Sequence, residues 1–229
     1  MAATYRPYDA LAYAKLFIKN MPLEKLQARI LDDANKYIWM AAPWRWTISS
    51  LSSTITLVNG QQDYTLAPPA NFLKPIYAYI ADGTTTKMDL DISPSLPSDV
   101  VQKGTPTRMA YMGSNTWRFY PIPVVSGTKE VIIEYKKKSP TITNQTSYTE
   151  GYLEMDDEWF WVYEQAVLWK AYWFADDQRG GNTQFDNSGK WAMTQARAEL
   201  DVSIEMMRQR ELLPIYNFQT VPEAKVGNR

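Results

Sequence analysis

The chain has 229 residues, of which 45% are hydrophobic and 21% charged, and its formal net charge is −1. This composition is typical of a globular protein and excludes a polycation that coats nucleic acid. Histidine and cysteine are both absent, which excludes Ser-His-Asp and Cys-His catalytic sites, disulfides and thiolate chemistry. Residues 1–17 lack the apolar segment and cleavage site of a secretory signal, so we expect a soluble protein that is intracellular or packaged.

Two helices are predicted at the start of the chain. Asp9 suits the N-cap of a helix over about 10–19, and Pro22 suits the first turn of a second helix that Pro43 ends. Apolar residues recur in the second helix every three or four positions, which is typical of a helix with one buried face. They are Leu23, Leu26, Ile30, Ala34, Tyr37, Ile38 and Ala41.

Between residues 46 and 138 the pattern changes to short runs rich in Thr, Tyr, Ile and Val, which predict strands. Ile55 and Leu57 alternate with threonines before Asn59-Gly60, and Tyr64 follows, so we predict a hairpin there. The other predicted strands cover 72–80, 87–92, 108–112, 116–120 and 131–135. The turn Ala81-Asp82-Gly83 joins the first two of these, and 108–112 is predicted to pair with 116–120 around Gly113-Ser114-Asn115. Six to eight short strands of this kind predict a small antiparallel sandwich or open barrel.

Residues 159–174 carry four tryptophans, two phenylalanines and two tyrosines in sixteen positions. Asp156 and Asp157 precede them and suit a helix N-terminus. The apolar residues run almost all the way round, whereas a surface helix usually keeps one polar face. The segment is too short and too polar to cross a bilayer, since it contains Glu164 and Lys170. We therefore expect this helix to be buried by neighbouring helices and by a second subunit.

A last helix is predicted from Asn187 or Ser188 to Pro214, and residues 215–229 have no period long enough to fold alone. The organisation is therefore α+β, with a discontinuous helical bundle, an inserted antiparallel β-sandwich or barrel, and an extended C-terminal arm. The predicted bounds are 1–45 and 151–213 for the helical bundle domain, 46–150 for the β domain and 214–229 for the arm.

The sequence offers no clear catalytic, cofactor or metal site, so we predict that the protein is not an enzyme. Asp89 and Asp91 alternate along a predicted strand and could bind a hard cation together or simply line a surface edge. The run Lys136 to Lys138 suits either a contact with nucleic acid or the protection of an edge strand.

Several short stretches follow one another in a distinctive order between residues 8 and 212. They are Pro43-Trp44-Arg45-Trp46, Gly60 to Leu66 followed by Pro68, Pro106 to Arg108 with Tyr111, Trp117 to Pro123, Gly127, Val131 to Tyr135, and Leu153 to Met155 before the aromatic helix. Their order resembles the head-to-tail adaptor, or connector, proteins of tailed bacteriophages, which include the podovirus tail tubular protein A and related head-completion proteins.

The resemblance implies a structural virion protein at the head–tail junction, assembled in the host cytoplasm. It implies a homo-oligomeric ring of about twelve subunits between the portal and the tail nozzle or tube protein. Genomic double-stranded DNA would pass through this ring during ejection without specific binding, and no membrane or cofactor would be involved.

Two sets of contact residues follow from the adaptor interpretation. The aromatic helix would serve one face of the ring interface through Trp161, Trp169 and Tyr172. The C-terminal arm would order on the portal through the apolar residues Ile215, Tyr216, Phe218 and Val221. The alternative for the arm is a frayed terminus.

Two other function classes compete with the adaptor. The first is a carbohydrate- or receptor-binding β module of a phage tail, with Trp117, Tyr120 or Trp46 as stacking platforms. The second and weaker one is a hydrolase that uses Asp89 and Asp91. An adaptor would form rings and bind the portal, whereas the β module would bind glycans.

Overall fold

Among the residues that the structure describes, two helices precede a β-rich region and two follow it, which confirms the α+β class and its discontinuous helical part. The computed structural model describes residues 5–18, 24–81, 87–98, 101–143, 153–178 and 187–216. The chain divides into two units with separate hydrophobic cores. The helical unit is Met1–Trp46 with Thr141–Arg229, and the β unit is Thr47–Pro140.

The helical unit is built around its third helix. The helices are α1 (Asp9–Phe17), α2 (Glu24–Ala41), α3 (Phe160–Gln178) and α4 (Asn187–Tyr216). A 3₁₀ turn over Asp157–Trp159 leads into α3, and α3 packs against α1, α2 and α4. A helix with three neighbours needs apolar residues on most of its circumference. The other helices of the same chain therefore bury much of α3. The sequence analysis had expected a second subunit to bury part of it.

Three details of the helical unit differ from the sequence-based expectations. Asp9 is the first residue of α1 and not its N-cap, although its carboxylate accepts a hydrogen bond from the Arg6 amide at 2.8 Å. The last helix passes Pro214 and ends at Tyr216. Ile142, inside the range 46–150 assigned to the β domain, is buried in the helical core. Its amide donates to Asp32 Oδ1 at 3.0 Å, which anchors this segment to α2.

The β unit consists of short, mostly antiparallel strands. They are β1 (Ile48–Ser50), β2 (Ile55–Thr56), β3 (Asp63–Thr65), β4 (Phe72–Ala81), β5 (Lys87–Asp89), β6 (Asp91–Ile92), β7 (Lys103–Gly104), β8 (Arg108–Gly113), β9 (Thr116–Tyr120), β10 (Ile122–Pro123) and β11 (Glu130–Lys137). One sheet has the order β1-β11-β4-β5, with β2 also on β11; a second has the order β3-β9-β8-β6; β10 and β7 pair separately. The described strands do not close a barrel.

The predicted pairings of β4 with β5 and of β8 with β9 are confirmed, but the first predicted hairpin is wrong. Strand β2 pairs with β11 and β3 pairs with β9, so the turn at Asn59-Gly60 carries the chain from one sheet to the other. Gly60 has φ +78°, a backbone conformation that favours glycine. The Tyr64 hydroxyl accepts a hydrogen bond from the Val58 amide at 2.8 Å and holds this turn in place.

Inward side chains of the two larger sheets share one aromatic core. Trp117 and Phe119 of β9 are both fully buried, and Phe72 of β4 lies edge-on to the Trp117 ring at 5.7 Å. The Trp117 indole N–H donates to the Leu66 carbonyl at 2.9 Å, so its polar atom is also satisfied. Alternation along the strands has placed these rings on one face of each sheet.

Candidate interaction surfaces

Contrary to the sequence-based prediction, Asp89 and Asp91 do not lie on one strand. Asp89 ends β5 in one sheet, and Asp91 begins β6 in the other. Asp89 accepts a hydrogen bond from the Tyr77 hydroxyl at 2.5 Å, and this bond, with some burial, raises the pKa of Tyr77 to about 12. Within the described residues, acidic side chains form no cluster of three or more that could hold a metal ion. Neither carboxylate therefore belongs to such a cluster, and Asp89 is already engaged by the Tyr77 hydroxyl.

The lysine run Lys136 to Lys138 does not protect a sheet edge. Its strand, β11, lies inside its sheet between β1 and β4. Lys136 is opposite Lys74 of β4 and is only 8% exposed. Burial and, to a smaller extent, the Lys74 charge lower the pKa of Lys136. The edge-strand interpretation is therefore wrong, and contact with nucleic acid stays an untested alternative.

The predicted stacking platforms are poorly placed for a sugar. Trp117 is fully buried in the β core. Tyr120 is half-buried and donates its hydroxyl proton to Gln102, and Trp46 stacks on Trp44 with ring centroids 5.4 Å apart. Because a stacking platform needs a ring face open to solvent, Trp117 cannot serve as one.

Trp169 is held within a cluster that joins α2, α3 and α4. Its ring centroid lies 5.0 Å from that of Tyr37 on α2. The guanidinium of Arg197 on α4 lies 4.4 Å from the Trp169 centroid and 4.7 Å from that of Tyr37. Arg197 also pairs with Asp201 at 3.0 Å, and Asp201 accepts a hydrogen bond from Tyr37 at 2.9 Å. This tryptophan therefore stabilises the packing of three helices of its own chain.

One side of α3 carries three apolar residues that lie over one another. Trp161, Leu168 and Tyr172 are seven and four residues apart, which places them on one line of a helix. Trp161 is 37% exposed and Tyr172 is half-buried. Tyr163, two residues after Trp161, points about 200° away, where its hydroxyl donates to the Leu31 carbonyl of α2 at 3.0 Å. The line of three residues therefore lies on the side of α3 opposite α2.

Helices α1 and α4 form the walls on either side of this line. On α1, Phe17 lies 5.1 Å from the Tyr13 ring and is 52% exposed. Burial and, to a smaller extent, the Tyr13 side chain raise the pKa of Tyr172. On α4, Ser203 hydrogen-bonds Gln165 of α3 at 2.6 Å, and Val202 and Met206 are 62% and 51% exposed. We define the α1–α4 groove as the surface between these two helices over α3. It includes Trp161, Gln165, Tyr172 and the buried Leu168 of α3, Tyr13 and Phe17 of α1, and Val202 and Met206 of α4.

Comparison with known proteins identifies the class of molecule. A family model described as SU10 adaptor protein matches residues 9–212, which include most of both units. This chain belongs to the SU10 adaptor protein family. The adaptor is therefore a structural bacteriophage protein, a virion component that associates with other head and tail proteins. No curated protein matches the chain.

The α1–α4 groove of the adaptor carries negative charge. Glu164 lies on α3 at the edge of the floor, and burial raises the pKa of its carboxyl group. Glu199 lies on α4 three residues before Val202, where it is exposed and accepts a hydrogen bond from Gln195. An occupant of this groove should therefore combine apolar side chains with a positive charge.

The remaining predicted contact residues of the adaptor lie at its C-terminal end. Ile215 and Tyr216 are the last two residues of α4, so they do not belong to an extended segment. Phe218 and Val221 lie outside the described residues. The contact of these four residues with the portal stays a prediction.

None of the described helices is long and apolar enough to cross a membrane.

The sequence-based interpretation missed the groove walls. Val202 and Met206 are four residues apart, a spacing that places two apolar side chains on one face of α4. Because the opposite face of α4 contains the stronger apolar stripe, this pair did not stand out. Exposed apolar residues on the polar face of an otherwise amphipathic helix are the signal that could have found them.

Proposed function

We propose that this adaptor forms a homo-oligomeric ring of about twelve subunits that lies between the portal and the tail nozzle and extends the DNA channel. The observation that carries the proposal is the exposure of large apolar side chains along the α1–α4 groove: Trp161 is 37% exposed, Phe17 52%, Val202 62% and Met206 51%. Large exposed apolar side chains on neighbouring helices are typical of a site of protein–protein contact.

The contact residues of the proposed ring are drawn from this groove. Trp161 and Tyr172 line its floor and are available to a neighbouring subunit. Trp169 faces Tyr37 and Arg197 of its own chain, so we assign it to the stability of the bundle. Tryptophan and tyrosine in a desolvated groove are the residues from which the largest contributions to binding are expected.

The charge of the chain suits a passage for DNA. Each phosphate that a protein neutralises adds salt-dependent affinity and would slow a moving duplex. The formal net charge of −1 supports passage of the genome without specific binding. The ring would be a component of the virion at the head–tail junction, formed after assembly in the host cytoplasm.

The ring is tested by negative-stain electron microscopy of the purified full chain, alone and mixed with portal rings. We expect annular particles coaxial with the portal in the mixture. A discrete monomer that does not associate with portal rings at micromolar concentration would contradict the proposed function.

The portal contact is tested by removing residues 215–229. We propose that Ile215, Tyr216, Phe218 and Val221 bind the portal, so this deletion should weaken portal binding at least about tenfold. Far-ultraviolet circular dichroism and thermal unfolding should stay close to those of the full chain, because the described core of the helical unit ends at Met207. Unchanged portal binding would remove the arm from the proposal.

A further inference from the structure

The α1–α4 groove and α2 lie on opposite sides of the same central helix. The groove floor contains Trp161 and Tyr172, whereas Tyr163 contacts α2 from the other side of α3. A closed ring needs two different faces on each subunit, because one face of a subunit meets another face of its neighbour. Two faces on opposite sides of one bundle satisfy that requirement.

The C-terminal end of α2 offers an exposed apolar side chain. Met40 is 77% exposed, whereas its helix neighbours Ile38 and Trp39 are buried. Pro43 and Arg45, which follow α2, are also exposed. Methionine is flexible enough to fit an irregular apolar surface. Within the described chain, no apolar side chain fills the α1–α4 groove. The end of α2 is apolar and exposed, so it could fill the groove of another subunit.

The charges of the two faces are complementary. Near Met40, Lys36 and Arg208 already pair with Asp32 and Glu205. Arg45 has no acidic partner within the described part of the chain, and Glu199 on the groove wall has no basic one. Opposite charges that meet across an interface fix its register and exclude wrong orientations.

We infer that the α1–α4 groove of one subunit receives the C-terminal end of α2 from the next subunit, with Met40 against Trp161 and Met206 and with Arg45 near Glu199. The inference rests on the proposed ring, and it identifies the groove's occupant as a second copy of this chain. The contact is heterologous, so each added subunit can bind a further one and the assembly extends beyond a dimer. It closes into a ring when the rotation between neighbouring subunits divides a full turn evenly.

A pair of engineered cysteines tests the contact directly, because the natural chain contains no cysteine. The full chain carrying both Met40→Cys and Met206→Cys is bound to portal rings, oxidised and separated under denaturing, non-reducing conditions. We expect a ladder of covalent dimers, trimers and higher species that dithiothreitol collapses to monomer. Each single variant should stay free of species larger than a dimer, since it can form only one disulfide per chain.

The matched control combines Met40→Cys with Ala12→Cys. Ala12 is exposed but lies on α1 about 140° away from Phe17 and hence from the groove. We expect no ladder from this pair. A ladder from the control pair, or none from the Met40–Met206 pair while the protein still assembles on portal rings, would overturn the inferred contact and leave the proposed function intact. Loss of assembly by the unmodified chain would instead reject the proposed function.

A charge exchange tests the register independently. Glu199→Arg and Arg45→Glu should each lower self-association on portal rings about tenfold. The double variant should recover most of that loss, because it restores the opposite charges in the reverse sense. If the two single losses simply add in the double variant, Arg45 and Glu199 do not meet, and the register is wrong.

Discussion

The two units use their aromatic residues in different ways. In the β unit, alternation along β4 and β9 directs Phe72, Trp117 and Phe119 into a core that two sheets enclose. In the helical unit, α3 carries rings around its whole circumference, and three helices pack against it, yet Trp161 and Trp173 stay 37% and 43% exposed and Tyr172 is half-buried. Aromatic content therefore indicates a contact surface only where the chain's own partners leave part of an element uncovered.

The difference between the two units is tested most directly by truncating one tryptophan in each. Trp117→Ala should lower the free energy of unfolding by roughly 3–5 kcal/mol, because it removes a fully buried side chain and leaves a cavity. Trp161→Ala should cost less, roughly 1–2 kcal/mol, since the side chain is 37% exposed. Denaturant unfolding followed by circular dichroism measures both.

The same two variants should rank in the opposite order in assembly. Trp161→Ala should weaken association on portal rings, whereas Trp117→Ala protein that is still folded should associate normally. Equal destabilisation by the two substitutions would show that Trp161 belongs to a closed core, and the difference between the two units would disappear.

A smaller effect is expected from the ion pair at the edge of the β unit. Arg118 donates two hydrogen bonds to Asp63, at 2.7 and 2.8 Å, and these lower the pKa of Asp63. The ionised carboxylate therefore contributes stability above the ordinary aspartate pKa, and this contribution is lost as the pH falls through the lowered value. Asp63→Asn should cost about 1 kcal/mol at pH 7, after allowance for the exposure of Asp63.

The pH dependence distinguishes this ion pair from simple packing. The stability difference between the natural chain and Asp63→Asn should shrink as the pH falls below the ordinary aspartate value. The exposed residue Asp91 provides the control, and Asp91→Asn should change the stability at pH 7 less than Asp63→Asn does. A difference for Asp63→Asn that is constant with pH would rule out a role for the charge.

The smallest predicted effect concerns Glu164 at the edge of the groove. Burial raises the pKa of this carboxyl group, so the folded state holds its proton more tightly than the unfolded state does. The resulting stability is present below the ordinary glutamate pKa and is lost as the pH rises through the raised value. Glu164→Gln should therefore raise the melting temperature by about 1 °C at pH 7 and leave it unchanged at pH 3.

Differential scanning calorimetry on dilute protein checks the Glu164 prediction without interference from assembly. Glu199→Gln is the matched control, because Glu199 is exposed on the wall of the same groove. If both variants raise the melting temperature equally, general charge repulsion is responsible and not the burial of Glu164.

Local patterns predicted most of the fold elements. The period of three to four residues indicated α2, and the turns at Asp82-Gly83 and Gly113 to Asn115 indicated the pairings of β4 with β5 and β8 with β9. The partner of β2 was not predictable in this way. Its two residues pair with β11, more than seventy positions later, and nothing in the short run Ile55–Thr56 specifies so distant a strand.

The residues of the candidate site were likewise predictable only in part. The sequence selected Trp161 and Tyr172 because α3 has too many apolar residues for a helix with a single neighbour. It also selected Trp169, because periodicity alone cannot show that Arg197, some thirty residues later, covers that ring. Phe17, Val202 and Met206 were missed, since each is an ordinary apolar residue until two helices align them around one groove.

The sequence by itself determined the α+β class, the position of the helices and most strands, and the membership in an adaptor family. These properties follow from periods of about two and 3.6 residues and from short motifs that neighbouring residues encode. Only the tertiary structure decided which strands pair and which side of α3 stays open. Both depend on contacts between residues far apart in the chain, which form only when separate elements pack together.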